Sequence, residues 1–534
     1  MTAVAPRGGS RARGEAVAIS TVADIIRTHD AQRSGAAAID FEGQTITYGD
    51  LHRRSSQVAN GLRAAGVRSQ DHVAFIDKNG PAYFEVLFGA AKINAVTVGV
   101  NWRLAPPEMA FIINDSRAKA VVVGPDFVPH IEKIAPDLSS VSTILVLGHH
   151  ARYTAYEAWR DGQPDQDPGA ASAPDDVALQ LYTSGTTGLP KGAMITNANF
   201  FGLLDRIGGP WRFSPDSVNL CAMPMFHIAG SGWSLVGMFH GCRSVVLRDV
   251  DPALILELIP RYRITNALFV PAVIQFLLST PGVDRTDYSS LHTIVYGASP
   301  ITDTVLATAI ATFGCDFIQV YGLTETTGAI VQLEAADHDQ KGRPELLRSC
   351  GKPYPWVELR IVDPDGRDCP AGAVGELWVR TRQNMKGYWN QPEETAKTIT
   401  ADGWLRTGDA GYVDAEGYVF LHDRVKDMIV SGGENVYPAE VENALMRHPD
   451  IADVGVIGVP DDRWGETVKA VVVLREGAGL TQQDIIAFAR QHLGGFKCPT
   501  SVDFAAALPR NPSGKLLKRE LREPYWAGRE RRIG

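Results

Sequence analysis

One stretch, Tyr182-Thr183-Ser184-Gly185-Thr186-Thr187-Gly188-Leu189-Pro190-Lys191-Gly192, has the composition of a phosphate cradle. Glycines let the backbone turn tightly and bring N–H groups close to an anion. The Ser and Thr hydroxyls add neutral donors, and Lys191 adds positive charge. The preceding residues Val177-Ala178-Leu179-Gln180-Leu181 read as a short buried strand, so the stretch leaves a strand end. It is not a Walker A loop. Counting from Gly185, Pro190 stands where the second glycine belongs, and Gly192 replaces the Ser or Thr after the lysine. A phosphate chain is expected here, held differently.

Three further strand-to-loop junctions collect residues able to do chemistry: Gly297-Ala298-Ser299-Pro300, Tyr321-Gly322-Leu323-Thr324-Glu325-Thr326-Thr327-Gly328, and residues 403–411. The first lacks the final glycine of a G-x-S-x-G nucleophile elbow. In open α/β sheets, ligands bind beyond the carboxyl ends of the strands, so these junctions are expected to converge on one cleft.

The elements that must position them alternate along the first half. Thr21 opens an amphipathic helix, residues 38–47 form a hairpin around Gly43, and Thr47 with Asp50 starts a second helix. Strands are expected at 72–76, 96–100, 120–124 and 142–147, and a helix at 81–93 with Pro81 in its first turn. Residues 161–176 read as a loop. Helices and strands alternate again from 253 to 321, and short strands with Pro-Asp-Gly turns follow at 352–379. The alternation predicts an α/β protein: a large multi-subdomain N-terminal domain of layered sheets plus a small β region, followed by a small mobile α+β C-terminal domain. At 534 residues, one core is too few. The expected division is a flexible tail at 1–20, a nucleotide-binding domain at 21–423 and a mobile module at 424–534.

Composition excludes several classes. A net charge of −9 speaks against nucleic acid as a partner. The six cysteines form no C-x-x-C pair, which argues against a zinc site or a disulfide framework and fits a reducing cytoplasm. The N-terminus has no apolar run of a secretory signal. Residues 217–242 carry no Asp, Glu, Lys or Arg, but Asn219, Pro224, His227 and Ser231 interrupt them. This segment is read as core or pocket lining, not a transmembrane span; a weak peripheral membrane contact stays open.

Six motifs occur in order: 182–192, Pro224-Met225-Phe226-His227, 321–325, 403–411, 423–442 and 509–515. With them the chain resembles the adenylate-forming superfamily of acyl-CoA synthetases, non-ribosomal adenylation domains and firefly luciferase. It looks closest to bacterial fatty-acid CoA ligases and plant 4-coumarate ligases. The resemblance implies two half-reactions: ATP and a carboxylic acid give acyl-AMP, and coenzyme A then takes the acyl group. It implies ATP, Mg²⁺ and coenzyme A as cofactors or co-substrates.

Carried onto this sequence, the resemblance implies that Lys515 bridges the carboxylate and the α-phosphate. Glu325 with Thr183 would hold Mg²⁺. Thr183, Ser184, Gly185, Thr186, Thr187, Gly188 and Lys191 would grip the phosphates. Tyr321 would stack on adenine, bordered by Gln319, Gly322, Thr324 and Gly297, Ala298, Ser299, Pro300, while Asp409 would take the ribose hydroxyls and Arg424 would add charge nearby. His227, Ile228, Ser231, Tyr296, Thr326, Thr327 and Gly328 would line the acyl pocket. His227 is not read as a base, because the attacking carboxylate is already ionised at neutral pH. Lys426 matches the hinge position, and Ser431, Gly432 and Gly433 would approach the pantetheine arm. The pocket is apolar and lacks a charged anchor. A medium- or long-chain fatty acid is therefore the first expectation, an aromatic or alicyclic acid the second, and a carrier-protein acceptor the third. The expected assembly is a monomer or homodimer.

Overall fold

The structure is a computed structural model that describes residues 19–183, 190–299, 301–339, 341–424, 427–431, 434–461, 465–510 and 516–527. Local chemistry sets the first elements. Thr21 and Thr47 each cap a helix, Val22–Arg33 and Tyr48–Ala64, through a reciprocal exchange with the aspartate three residues on, Asp24 and Asp50. Val22, Ile25, Ile26, Leu51, Val58 and Leu62 face inward, as their spacing requires. Helix Pro81–Lys92 lies against the second helix closely enough that a Cβ on Gly89 would stand 2.7 Å from Val58.

Two large sheets carry the first domain. The eight-stranded sheet runs, edge to edge, Gly387–Tyr388, Lys191–Thr196, Val177–Thr183, Val96–Gly99, His72–Ile76, Ala120–Val123, Thr143–Val146 and Thr154–Ala155. Its strands are parallel except where Lys191–Thr196 turns back on Val177–Thr183 and is itself paired by Gly387–Tyr388. The nine-stranded sheet holds Val218–Cys221, Arg243–Val246, Asn266–Phe269, Thr293–Gly297 and Asp316–Leu323 in parallel, with Gly328–Leu333 returning antiparallel. The parallel strands are buried on both faces, which is why they read as apolar runs rather than alternations.

The uncharged segment supplies an interior strand of this sheet, Val218–Cys221, and helix Ile228–Phe239. Trp233 and Leu235 of that helix are buried in the large core, and no described helix is long and apolar enough to cross a membrane.

A four-stranded antiparallel sheet follows, Glu358–Val362, Gly375–Arg380, Leu405–Val413 and Val419–Arg424. The last part has its own apolar core, with Ile429, Val441, Leu445, Val456, Val468, Val472 and Ile485 among its members. Ile451–Asp461 and Gly465–Leu474 form its central hairpin, flanked by helices Pro438–Leu445 and Gln482–His492. Helix Lys518–Trp526 packs on the same hairpin, where the Trp526 indole N–H donates to the Gly458 carbonyl at 2.9 Å. The fold is the expected one: a large α/β domain with a small β region, and a smaller α+β domain. Helices Pro106–Asp115, Asp303–Phe313, Pro392–Thr398 and Lys518–Trp526 are additions the sequence did not announce.

Candidate active site

The hairpin Val177–Thr183 and Lys191–Thr196 places Thr183 opposite Lys191 in register. These two positions are the strand ends that flank residues 184–189. A Cβ on Gly192 would stand 2.4 Å from Gln180 Nε2 and 3.0 Å from Tyr182 Cζ, so the glycine leaves room for both side chains. A polar chain runs along this hairpin. Gln180 donates to the Tyr182 hydroxyl at 3.1 Å, and that hydroxyl donates to Asp115 Oδ2 at 2.6 Å. Burial first, then Asp115, pushes the Tyr182 phenol far above its ordinary range, so it stays a donor.

The junction after Asp316–Leu323 comes to the same place. The Thr183 hydroxyl donates to Glu325 Oε1 at 3.2 Å, across 142 positions of sequence. The Tyr388 hydroxyl donates to the same oxygen at 2.8 Å, and the Met385 N–H donates to the Glu325 carbonyl. Among the described residues no donor reaches Oε2. A carboxylate with one oxygen steadied by two hydroxyls and the other uncommitted suits a hard divalent cation such as Mg²⁺, which takes few protein ligands beside phosphate and water. Glu325 and Thr183 are the residues that could hold it.

Tyr321 and Asp409 also meet. The Tyr321 hydroxyl donates to Asp409 Oδ2 at 2.7 Å, and both residues are buried. Burial, with Asp409 next in size, raises the Tyr321 phenol well above its ordinary range. Asp409 stands opposite Arg424 in the backbone register, which brings the fourth junction to this corner. Gln319 lies behind, accepting from the Tyr296 hydroxyl at 3.3 Å.

Main chain closes this edge. A Cβ on Gly297 would fall 2.1 Å from the Val320 carbonyl oxygen, and one on Gly322 would fall 1.9 Å from that of Gly328. Ala298 and Thr327 both adopt left-handed backbone, φ +69° and +53°. Non-glycine residues there cost about 1–2 kcal/mol each, strain that concentrates at ligand-handling turns.

His227 precedes helix Ile228–Phe239, and its Nε2 is buried without a hydrogen-bond partner among the described residues. Burial, and secondarily the charge of Arg103, pull its pKa down to about 4, so the ring is neutral at pH 7. Such a ring is a poor base and a good neutral wall. Ile228 is close to Gly328, with 3.8 Å from its Cγ1 to a Cβ built there. Ser231 turns its hydroxyl back to the His227 carbonyl at 3.0 Å.

Thr326 and Thr327 spend their hydroxyls on the main chain. They are 0% and 2% exposed. The Thr326 hydroxyl accepts from the Leu323 N–H at 2.9 Å and donates to the Gly328 carbonyl at 2.8 Å, and the Thr327 hydroxyl donates to the Gln383 carbonyl, so they tie the turn that carries Glu325. Thr324 opens the short helix that holds Glu325, and Ser431 ends strand Ile429–Ser431 of the smaller domain. Ser184, Gly185, Thr186, Thr187, Gly188, Pro300, Lys426, Gly432, Gly433 and Lys515 lie outside the described residues.

Two residues of the site went unread in the sequence: Tyr388, and Glu394, whose carboxylate is paired with Lys191. The available signal was the segment Gly387-Tyr388-Trp389-Asn390-Gln391-Pro392-Glu393-Glu394-Thr395, a glycine–aromatic pair leading to a proline-started acidic turn. The Trp389 N–H donates to the Gly192 carbonyl at 2.8 Å and its indole to the Asp115 carbonyl at 2.8 Å. This segment therefore ties Gly192 to Asp115 at the end of the hairpin.

Comparison with known proteins agrees along nearly the whole chain. The AMP-binding enzyme family model matches residues 26–389, and the AMP-binding enzyme C-terminal domain matches 440–515. The fatty acid–[acyl-carrier-protein] ligase ScoC of Streptomyces coeruleorubidus is 40% identical over 522 residues, 96% of this chain and 98% of that protein. A feruloyl-CoA synthase of an Amycolatopsis species is 38% identical over 491 residues, 92% and 96% of the two chains. The structure of ATP-bound MatB from Rhodopseudomonas palustris matches with a TM-score of 0.87 at 31% identity, covering 95% of this chain and 99% of that one. The chain belongs to the AMP-binding enzyme family.

Proposed function

We propose that the protein is an AMP-forming acid–thiol ligase that activates a medium- or long-chain fatty acid with ATP and passes the acyl group to coenzyme A. The observation that carries the reading is the meeting of Thr183, Glu325 and Tyr388 beside Lys191, at the strand ends that flank the glycine- and hydroxyl-rich sequence 184–189.

In the first step a carboxylate oxygen forms a bond to the α-phosphorus of ATP, and pyrophosphate leaves with the electrons of the broken P–O bond. Two anions must meet, so positive charge and positioning decide the rate. Lys515 supplies that charge at the α-phosphate, Lys191 steadies the β- and γ-phosphates, and Asp409 accepts from the ribose. Glu325 and Thr183 would hold Mg²⁺, which would supply charge neutralisation at the phosphates. His227, neutral in its buried setting, closes the acyl pocket next to Ile228 and takes no proton. In the second step the thiol sulfur attacks the acyl carbonyl, the thiol proton is lost, and AMP departs with the C–O bond electrons. The smaller domain, beginning near residue 424, turns about Lys426 between the steps and brings Ser431, Gly432 and Gly433 to the pantetheine arm.

A second reading has its own observation. The 40%-identical relative is named as a fatty acid–[acyl-carrier-protein] ligase, which favours a carrier's phosphopantetheine as the alternative acceptor thiol. The feruloyl-CoA relative keeps an aromatic acid in view. The deciding experiment is AMP release from a panel of fatty and aromatic acids, with ATP and either coenzyme A or a holo carrier protein. Fastest turnover with fatty acids and coenzyme A supports the main reading; turnover only with the carrier replaces the acceptor. We place the enzyme in the cytoplasm as a monomer or homodimer, with its free cysteines as support for the compartment. Gel filtration tests the oligomer.

A further inference from the structure

Lys191 is buried, and its charge is already taken. Its ammonium is held by Glu394 and lies 5.3 Å from the centre of the Tyr388 ring. Lys397, one turn on in the same helix, donates to the other carboxylate oxygen, Oε1, at 2.7 Å. Glu394 therefore sits between two ammonium groups, with one oxygen on each. They hold its carboxyl down at about 2, Lys191 first and Lys397 second, so it is an anion at every physiological pH. The arrangement is an anion site made of two lysines and filled by the chain's own carboxylate.

A phosphate oxygen offers an ammonium group the same charge and the same acceptor geometry as a carboxylate oxygen. On the function proposed above, a triphosphate must enter this site and pyrophosphate must leave it. We infer that Glu394 is an internal competitor for Lys191, which exchanges with the phosphates and thereby sets how tightly pyrophosphate is held. When pyrophosphate departs, Glu394 closes back on Lys191. The lysine is then never left as a buried unpaired charge, a state that would strongly oppose release. Lys397 moderates the exchange by drawing Glu394 the other way.

The test is product inhibition of AMP formation by pyrophosphate, with acid and ATP fixed. The helix that carries Glu394 has no buried side chain, so substitution there leaves the core intact, and thermal melting checks it. Glu394→Gln should tighten the inhibition constant for pyrophosphate about three- to tenfold, the size of one partly buried charge pair. Lys397→Gln should weaken it, because Glu394 then rests wholly on Lys191. Opposite signs support the exchange. Weakened inhibition in Glu394→Gln would overturn it, since that is the result if Glu394 merely holds Lys191 in place. Lys191→Met separates this from the underlying reading: unchanged inhibition there would remove Lys191 from phosphate binding altogether.

Discussion

The Tyr388 hydroxyl donates to Glu325 Oε1 at 2.8 Å, although 63 positions separate the two residues. The bond exists because Gly387–Tyr388 pairs with Lys191–Thr196 at the edge of one sheet, while Glu325 leaves the end of a strand in the other. One oxygen of Glu325 is thus fixed, and the other is presented. Tyr388→Phe should leave the fold intact and lower the rate of ATP–pyrophosphate exchange about tenfold, near the value of a hydrogen bond to a charged group. The concentration of Mg²⁺ at half-maximal rate should rise with it. An unaltered Mg²⁺ dependence would separate Tyr388 from the cation.

Glu325→Gln keeps the shape and removes the charge. Exchange should fall by about a hundred- to a thousandfold, the range seen when one stabilising group of a transition state is lost. Glu325→Asp should recover part of the loss at high Mg²⁺. Full activity in Glu325→Gln would dismiss it as a cation ligand.

Asp409 meets Tyr321 and, by proposal, the ribose. The wild-type enzyme should prefer ATP over 2′-deoxy-ATP by about tenfold or more, because a site built to bond a hydroxyl penalises its absence. Asp409→Asn should shrink that preference as well as raise KM for ATP. If the preference survives intact, the ribose is read elsewhere.

Lys515→Ala should abolish acyl-AMP formation far more than thioester formation from supplied acyl-AMP. Equal loss in the two half-reactions, measured separately, would end the assignment of Lys515 to the first step.

Acid should destabilise the protein, and His72 shows how much. The residue is 3% exposed on the central strand His72–Ile76, with Nε2 3.0 Å from Gln180 Oε1. Burial lowers its pKa from 6.5 to about 4. The unfolded chain takes up a proton below 6.5, while the folded chain resists until about 4, so stability is lost as pH falls through that window. From pH 7.5 to 5 the loss is about 2 kcal/mol for this residue alone. Urea unfolding at the two pH values checks it, and His72→Gln should remove that share of the pH dependence.

The sequence was most readable where structure is local. Thr21 with Asp24 and Thr47 with Asp50 cap helices through contacts three residues long, and apolar runs such as Val96–Gly99 and Ala120–Val123 are strands buried on both faces. Tyr388 and Glu394 were unreadable for the opposite reason. A two-residue strand has no period, and helix Pro392–Thr398 buries nothing, so it leaves no apolar stripe. Their partners, Glu325 and Lys191, lie far away in sequence and are joined to them only by sheet pairing. Composition also could not say which way the Thr326 and Thr327 hydroxyls turn. In a tight turn with Thr327 at φ +53°, both turn inward.

Gly297 and Gly322 bear on how such an enzyme can change over time. Any side chain at either position would drive into a carbonyl, of Val320 or of Gly328, so this edge is drawn in peptide planes that substitution cannot redraw. Ile228, beside Gly328, carries an ordinary side chain that can lengthen, shorten or branch at modest cost. On the proposed roles of these residues, a lineage built on this scaffold is free to drift in the acid it accepts while its nucleotide edge stays fixed, and new substrates should arise by exchange around Ile228 rather than at the glycines.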